Sequence, residues 1–426
     1  MTVTRRLRVV ILSGNSLSHN PRVLKAAGAL GRTGYDVTVL GAWRDADLKA
    51  QDQRFLQDAP FRFVPVLDAT RSNWRQTAAQ LLRRSRRKAA QLAHRVVRRE
   101  SPAQLGDAIA PLLAHAKTIA ADLYVAHSEP ALYAAWQLMR EGRRVGVDME
   151  DWFSEDLLPD ARTSRPLKLL RFLEAELLRS GAYASCPSRA MSDALVAAYG
   201  GKAPVAIYNA FAWAGRPARA GGRRDRRDPA LPSISWYSQT LGPGRGIEDL
   251  IAALPLLNGK AELHLRGRAI PGMEAWIRSR LPEAWRQRVF VHPLAANDEL
   301  ALHINEHDIG FAGELPYCRN KELTVSNKIL QYLLGGLAVV ASATAGQREV
   351  AVAAPGAVAL YAPGNVPALA DALDGFLQSP DKLGQAKGAA VQAAQQTFCW
   401  EKQEPVLLDA VTAALADEPQ ASRGAS

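Results

Sequence analysis

Residues 326–342, SNKILQYLLGGLAVVAS, pass from a polar start through an apolar stretch to a glycine pair and a β-branched run. Ile329, Leu330, Leu333 and Leu334 recur at helical spacing, Gly335 and Gly336 can end that helix, and Leu337 to Ala341 reads as a buried strand. Ser326, Asn327 and Lys328 stand at the mouth of the helix. A capping side chain, free backbone N–H groups and one cation together suit a phosphate. They also suit an ordinary cap beside a surface lysine.

The same alternation of strand and helix extends in both directions. LRVVILSG, NPRVLKAAGALGRTG and YDVTVLGAW open the chain, and ADLYVAHSE, ALYAAWQLMREG and RRVGVDMED follow later. It restarts with ISWYSQTLG and GIEDLIAALPLL and continues through AELHLRG, VFVHPL and DIGFAG to the opening stretch. Strands alternating with helices imply an α/β fold of parallel sheets wound on both faces. Two series imply two doubly wound Rossmann-like domains facing a central cleft, with ligands beyond the carboxyl ends of the strands. The expected boundaries are 1–212, a linker at 213–232, a second domain at 233–396, and a tail at 397–426 with a helix over 405–416 and a disordered end.

The 426 residues, 48% hydrophobic, suffice for a core in each domain. Cys186, Cys318 and Cys399 match no metal spacing and fit a reducing cytoplasm. The apolar run Val9 to Leu12 is too short for a signal peptide, and nothing approaches the roughly 20 apolar residues of a membrane span. The expected location is the cytoplasm, with peripheral attachment to the inner face of the membrane. The net charge is +11, and ten Lys/Arg without one acid lie between Arg71 and Arg99. Within 74–100, Trp74, Ala78, Leu81, Ser85, Ala89, Leu92 and Val96 repeat at helical spacing, and Arg83, Arg84, Arg86, Arg87 and Lys88 fall among them. This basic amphipathic helix suits an anionic membrane surface; a solvated helix packed on the first domain is the alternative. No recognised nucleic-acid reader accompanies it, so nucleic acid is not an expected partner.

Several stretches carry a resemblance. NPRVLKAAGALGRTGYDVTVLG (20–41), VGVDMEDWFSEDL (145–157), VAIYNAF (205–211) and SNKILQYLLGGLAVVAS follow the order of motifs in the GT-B-fold glycosyltransferases of the family-4 type. Those are retaining enzymes that take a sugar from a nucleotide-sugar. The resemblance implies a nucleotide-sugar co-substrate, a glycan or lipid-linked acceptor, and no metal or further cofactor. By it, Ser326, Asn327 and Lys328 face the donor diphosphate. Gln331 stands where the family's glutamate holds the ribose, and Arg245, in the SQTLGPGRGIEDL turn, matches the pyrophosphate-binding lysine. Thr240 stands where an arginine is usual, with Arg266 and Arg268 as candidates to restore that charge. Glu349 falls in a turn that faces the donor. Glu150 replaces the histidine that contacts the transferred sugar.

Asp148, Glu150 and Asp151 end a strand, where close like charges can raise one pKa and leave an acid able to move a proton. Glu150 and Asp151, with His127 at the end of LYVAH, are the candidate catalytic residues. Gly14, Asn15, His19 and Arg22 form the loop expected on the acceptor side. Glu314 and Glu322 make an E-x7-E spacing by coincidence, outside the family's pair. The departures at Gln331 and Thr240 keep two alternatives open: a nucleotide-sugar epimerase of the same fold, and a degenerate GT-B protein that binds anionic lipid or glycan.

Overall fold

The computed structural model describes residues 5–70, 74–216 and 225–416. The chain divides into two compact units, Met1–Ile207 with Glu404–Ser426, and Tyr208–Gln403. The divisions fall at 207 and 403, where the sequence suggested 212 and 396. Asp225, expected in an open linker, is buried within the second unit.

The first unit holds seven parallel strands: β1 (Arg8–Leu12), β2 (Asp36–Trp43), β3 (Arg62–Asp68), β4 (Leu123–Ala126), β5 (Val145–Asp148), β6 (Tyr183–Cys186) and β7 (Val205–Ala206). Their order is β3-β2-β1-β4-β5-β6-β7. The winding therefore reverses between β1 and β4, whose ends meet with Leu12 beside Ala126. That reversal opens a crevice beyond the two strand ends, where ligands of doubly wound sheets bind. Gly14, Asn15 and His127 follow these ends directly. The helix Pro21–Arg32 starts on a proline, and Asn20 caps it by accepting from the Val23 N–H at 3.1 Å.

The second unit repeats the plan with β8 (Ser233–Leu241), β9 (Glu262–Ala269), β10 (Val289–His292), β11 (Ile309–Ala312), β12 (Ala338–Ser342) and β13 (Val358–Tyr361), ordered β10-β9-β8-β11-β12-β13. Here the reversal lies between β8 and β11. All five residues of β12 are buried. Ala338 and Val340 join one core cluster while Val339 and Ala341 join another, as the period of two in a strand covered on both faces requires. The helix Asn327–Gly335 ends at Gly336, whose φ of 72° favours glycine. Its Tyr332 lies against Gly310 of β11 so closely that a Cβ there would stand 2.2 Å from the ring. That contact sets the depth of the helix mouth against the sheet.

Two expectations change. The final helix runs Trp400–Ala416 and carries Pro405 in its interior, so it starts five residues before the proline where the sequence placed it. Arg32 to Glu404 at 2.9 Å and Tyr35 Oη to Thr412 Oγ1 at 3.1 Å tie its later turns to the first unit. The basic helix spans Trp74–Val97, and its apolar stripe is not packed: Leu81, Leu92 and Val96 are 58%, 62% and 72% exposed. Its buried side carries His94 instead. No helix among the described residues is long and apolar enough to cross a membrane.

Candidate functional site

In the second unit the β8 turn and the start of the Asn327–Gly335 helix meet at the reversal between β8 and β11. Gly246 has φ 79°, and a Cβ on it would lie 2.0 Å from the carbonyl oxygen of Gly313. The turn can therefore close onto the end of β11 only through a glycine. This sets Arg245 beside the segment that carries Glu314. Arg245 donates from Nη1 to Ser238 Oγ at 3.0 Å. Glu314, set aside in the sequence as coincidence, is the anchor of the helix mouth. Its Oε1 accepts from Lys328 Nζ at 2.6 Å and from Ser326 Oγ at 3.0 Å. Ser326 also caps the helix, accepting from the Lys328 N–H at 3.2 Å.

Burial pushes the Glu314 carboxyl up, but Lys328, with Lys321 and Ser326, outweighs it and holds the group at about 2. Asn327 accepts from Asn209 Nδ2 at 3.0 Å. Gln331 is buried and accepts from Tyr237 Oη at 2.6 Å. Gln347, which no sequence pattern marked, donates to Ala312 O at 3.0 Å and to Ser342 O at 2.8 Å, locking the ends of β11 and β12 together. Glu349 is half-buried on the same helix. Glu322 accepts from the Ala345 N–H at 2.9 Å, at the start of that helix.

Arg266 does not restore the charge missing at Thr240. It is buried and pairs with Asp225 at 2.5 Å while donating to Pro293 O at 2.8 Å. Arg268 is exposed and pairs with Thr240 in the strand register.

In the first unit two of the candidate residues, Glu150 and His127, share a hydrogen-bonded cluster with Asn20. Glu150 Oε1 accepts from Asn20 Nδ2 at 2.6 Å and lies 2.8 Å from His127 Nδ1. A carboxylate has only acceptors, so His127 donates from Nδ1 to Glu150. Glu150 is thus engaged by two partners and orients the imidazole.

Arg22 is not a loop cation open to an acceptor. It is buried and grips Asp148 through Nη2 at 2.8 Å and Nε at 3.2 Å, and it donates from Nη1 to Ile207 O at 2.7 Å. Burial pushes the Asp148 carboxyl up, but Arg22 and then His127 more than offset this and leave it below its ordinary range. The expected mutual raising of the strand-end acids is therefore reversed at Asp148, because a guanidinium pairs with it directly.

Gly14, at φ 68°, and Asn15 are fixed by backbone bonds to β2, and His19 is exposed. Buried Asp52, missed in the sequence, pins this loop by accepting from Leu17 N at 3.0 Å, Ser18 N at 2.8 Å and Trp43 Nε1 at 2.9 Å. Asp151 is half-buried in the next loop. A carboxyl that is raised is Glu174, fully buried, which accepts from Ser154 N at 2.9 Å, Ser154 Oγ at 2.6 Å and Tyr199 Oη at 2.8 Å. Burial lifts it to about 7 despite these bonds.

Residues 233–379 match the family model of the glycosyl transferases group 1. No curated protein matches the sequence. Sucrose-phosphate synthase of Thermosynechococcus elongatus is similar in structure, with TM-score 0.70, 15% identity, and coverage of 96% of this chain and 98% of that one. HepE of Anabaena, solved with UDP, gives TM-score 0.65 at 17% identity, covering 95% of this chain and 99% of that one. TarM gives TM-score 0.69 at 7% identity, covering 98% and 100%. At these identities the likeness speaks for the fold, and the matched domain speaks for the activity class. With the group 1 domain in its second unit and this fold along its length, the chain is a GT-B-fold glycosyltransferase.

Proposed function

We propose that the protein moves a sugar from a nucleoside-diphosphate sugar to a glycan or lipid-linked acceptor, with retention and without a metal in the chemistry. The observation that carries this reading is the helix mouth at Ser326–Lys328. There a lysine is fixed in place by Glu314 at the start of a helix capped by Ser326. Such an arrangement stabilises a departing diphosphate by preorganised charge. Arg245 adds a second cation from the β8 turn, and Gln331 offers its amide towards the ribose. In the first unit His127, oriented by Glu150 and Asn20, is the group able to accept a proton, with Asp151 beside it. The Gly14–His19 loop takes the acceptor, Arg22 serving to hold Asp148. Glu349 supplies a further donor-side contact.

The exposed apolar stripe of the basic helix, rimmed by exposed Arg84, Arg86, Arg87 and Lys88, supports attachment to an anionic membrane face. Arg83, half-buried, lies at its edge. UDP is the first nucleotide to test, since HepE was solved with UDP and with UDP-glucose. Calorimetry against UDP, GDP and ADP, then NMR of the product anomer formed in the presence of EDTA, tests the reading. No binding of any nucleoside diphosphate would reject it, and an inverted anomer would reject retention.

A further inference from the structure

The loop that leaves β5 carries Glu150 and Asp151, and it is fastened on both sides of them. On the near side Arg22 grips Asp148 at 2.8 Å. On the far side Ser154, fully buried, is held by Glu174 from the middle of the helix Leu167–Ser180. One carboxylate oxygen accepts from the Ser154 N–H at 2.9 Å, and the other accepts from its Oγ at 2.6 Å. Arg162 adds a bond to Ser154 O at 2.8 Å, and Arg165 adds one to Phe153 O at 3.2 Å. Buried Trp152 donates from Nε1 to Tyr199 Oη at 3.2 Å.

Tyr199 Oη lies 2.8 Å from Glu174 Oε2 and 3.2 Å from Ser154 Oγ, so three oxygens close a triangle. An ionised Glu174 accepts from both hydroxyls at once. A protonated Glu174 gives its own proton to one of them, and that hydroxyl then no longer donates to it. The charged form therefore holds Ser154 and Tyr199 more strongly than the neutral form. Burial opposes the charge, and so does Glu155, itself paired with Arg162 and Arg171 at 2.9 Å each. The opposing effects balance near neutrality, at about 7.

We propose that Glu174 is a positioning residue for the acceptor-side chemistry: through Ser154 it sets the loop that places Glu150 against His127. The inference rests on the proposed role of His127, Glu150 and Asp151 in sugar transfer. Three residues separate Glu150 from Ser154, so slack at Ser154 reaches Glu150 before the chain can absorb it. Glu150 in turn holds His127 Nδ1 at 2.8 Å and Asn20 Nδ2 at 2.6 Å. Ionised Glu174 keeps the loop taut, and the placement slackens as pH falls through 7.

The full-length protein, labelled with 15N at histidine and tryptophan, is followed by NMR, with His127→Gln and Trp152→Phe assigning the two signals. In the wild type the Trp152 indole N–H should shift between about pH 5 and 8 with a midpoint near 7. The Nδ1–H of His127, only 1% exposed, should exchange slowly with solvent at pH 8. In Glu174→Gln the Trp152 signal should no longer titrate, and the His127 proton should exchange at least about tenfold faster at pH 8. The same variant should melt higher than the wild type at that pH, so placement and stability move in opposite directions. A purely structural Glu174 would move them together. Tyr199→Phe, which takes one donor from Oε2, should also speed the exchange, and it carries the test if Glu174→Gln does not fold. Unchanged exchange at His127 in a folded variant, a Trp152 titration that survives Glu174→Gln, or a rapidly exchanging His127 Nδ1–H in the wild type overturns the proposal. These readouts use no substrate, so failure to bind any nucleoside diphosphate would reject the proposed function and leave this test standing.

Discussion

Lys328 Nζ lies 2.6 Å from Glu314 Oε1, so the cation at the helix mouth is held by a carboxylate 14 residues earlier in the chain. The two side chains are only 14% and 21% exposed, which makes the pair a structural element as well as a binding one. Lys328→Ala should abolish most nucleoside-diphosphate affinity. By leaving Glu314 unpaired it should also cost about 3 kcal/mol of stability. Glu314→Gln should lose less, since the amide oxygen still accepts from Ser326. Calorimetry and urea unfolding separate the two effects. Equal stability of Lys328→Ala and wild type would contradict this account.

Glu314 also predicts an acid limit. Its folded pKa, about 2, lies below the ordinary value of 4.5. The stabilisation it gives is therefore present above about pH 4.5 and is lost as pH falls towards 2, on the order of 3 kcal/mol in all. Unfolding of Glu314→Gln should depend less on pH across that window.

Glu174 predicts the opposite slope near neutrality. Its folded pKa, about 7, lies above 4.5, so the folded state keeps a proton that the unfolded chain releases. Its contribution is full below about pH 4.5 and fades as pH rises through 7. Glu174→Gln should therefore gain Tm relative to wild type at pH 8 and lose that advantage at pH 5. Parallel melting curves at both pH values test this through the Ser154 and Tyr199 network.

Gln331→Glu should tighten nucleoside-diphosphate binding. The carboxylate keeps the bond from Tyr237 Oη and offers a second, charged oxygen to the ribose, a contact worth about 1.5–3 kcal/mol. Calorimetry with UDP decides it. Weaker binding would mean that the pocket is built around the amide.

The basic helix should bind vesicles containing acidic lipid and release them as salt rises, because the Debye length shrinks to about 3 Å at 1 M. Charge reversal at Arg83, Arg84, Arg86, Arg87 and Lys88 should abolish binding while leaving nucleotide affinity intact. Replacing exposed Leu81, Leu92 and Val96 with serine should weaken it at any salt. Co-sedimentation that survives both sets would leave the helix as a solvated surface.

The sequence by itself determined the two doubly wound sheets, the helix–glycine–strand run at 326–342, and the Arg245 and Lys328 positions. Each of these is a local pattern, in which apolar period, cap and turn residue lie within a few positions of one another. Tertiary structure decided what the charged groups do. Arg22 meets Asp148, Lys328 meets Glu314, and Arg266 meets Asp225 across separations that no periodicity records. Each pairing turns an apparent free charge into a buried partner. A low-dielectric interior tolerates charge only when it is matched, so the fold selects partners by proximity in space. For the same reason Glu174 stayed invisible until the helix Leu167–Ser180 brought it to Ser154.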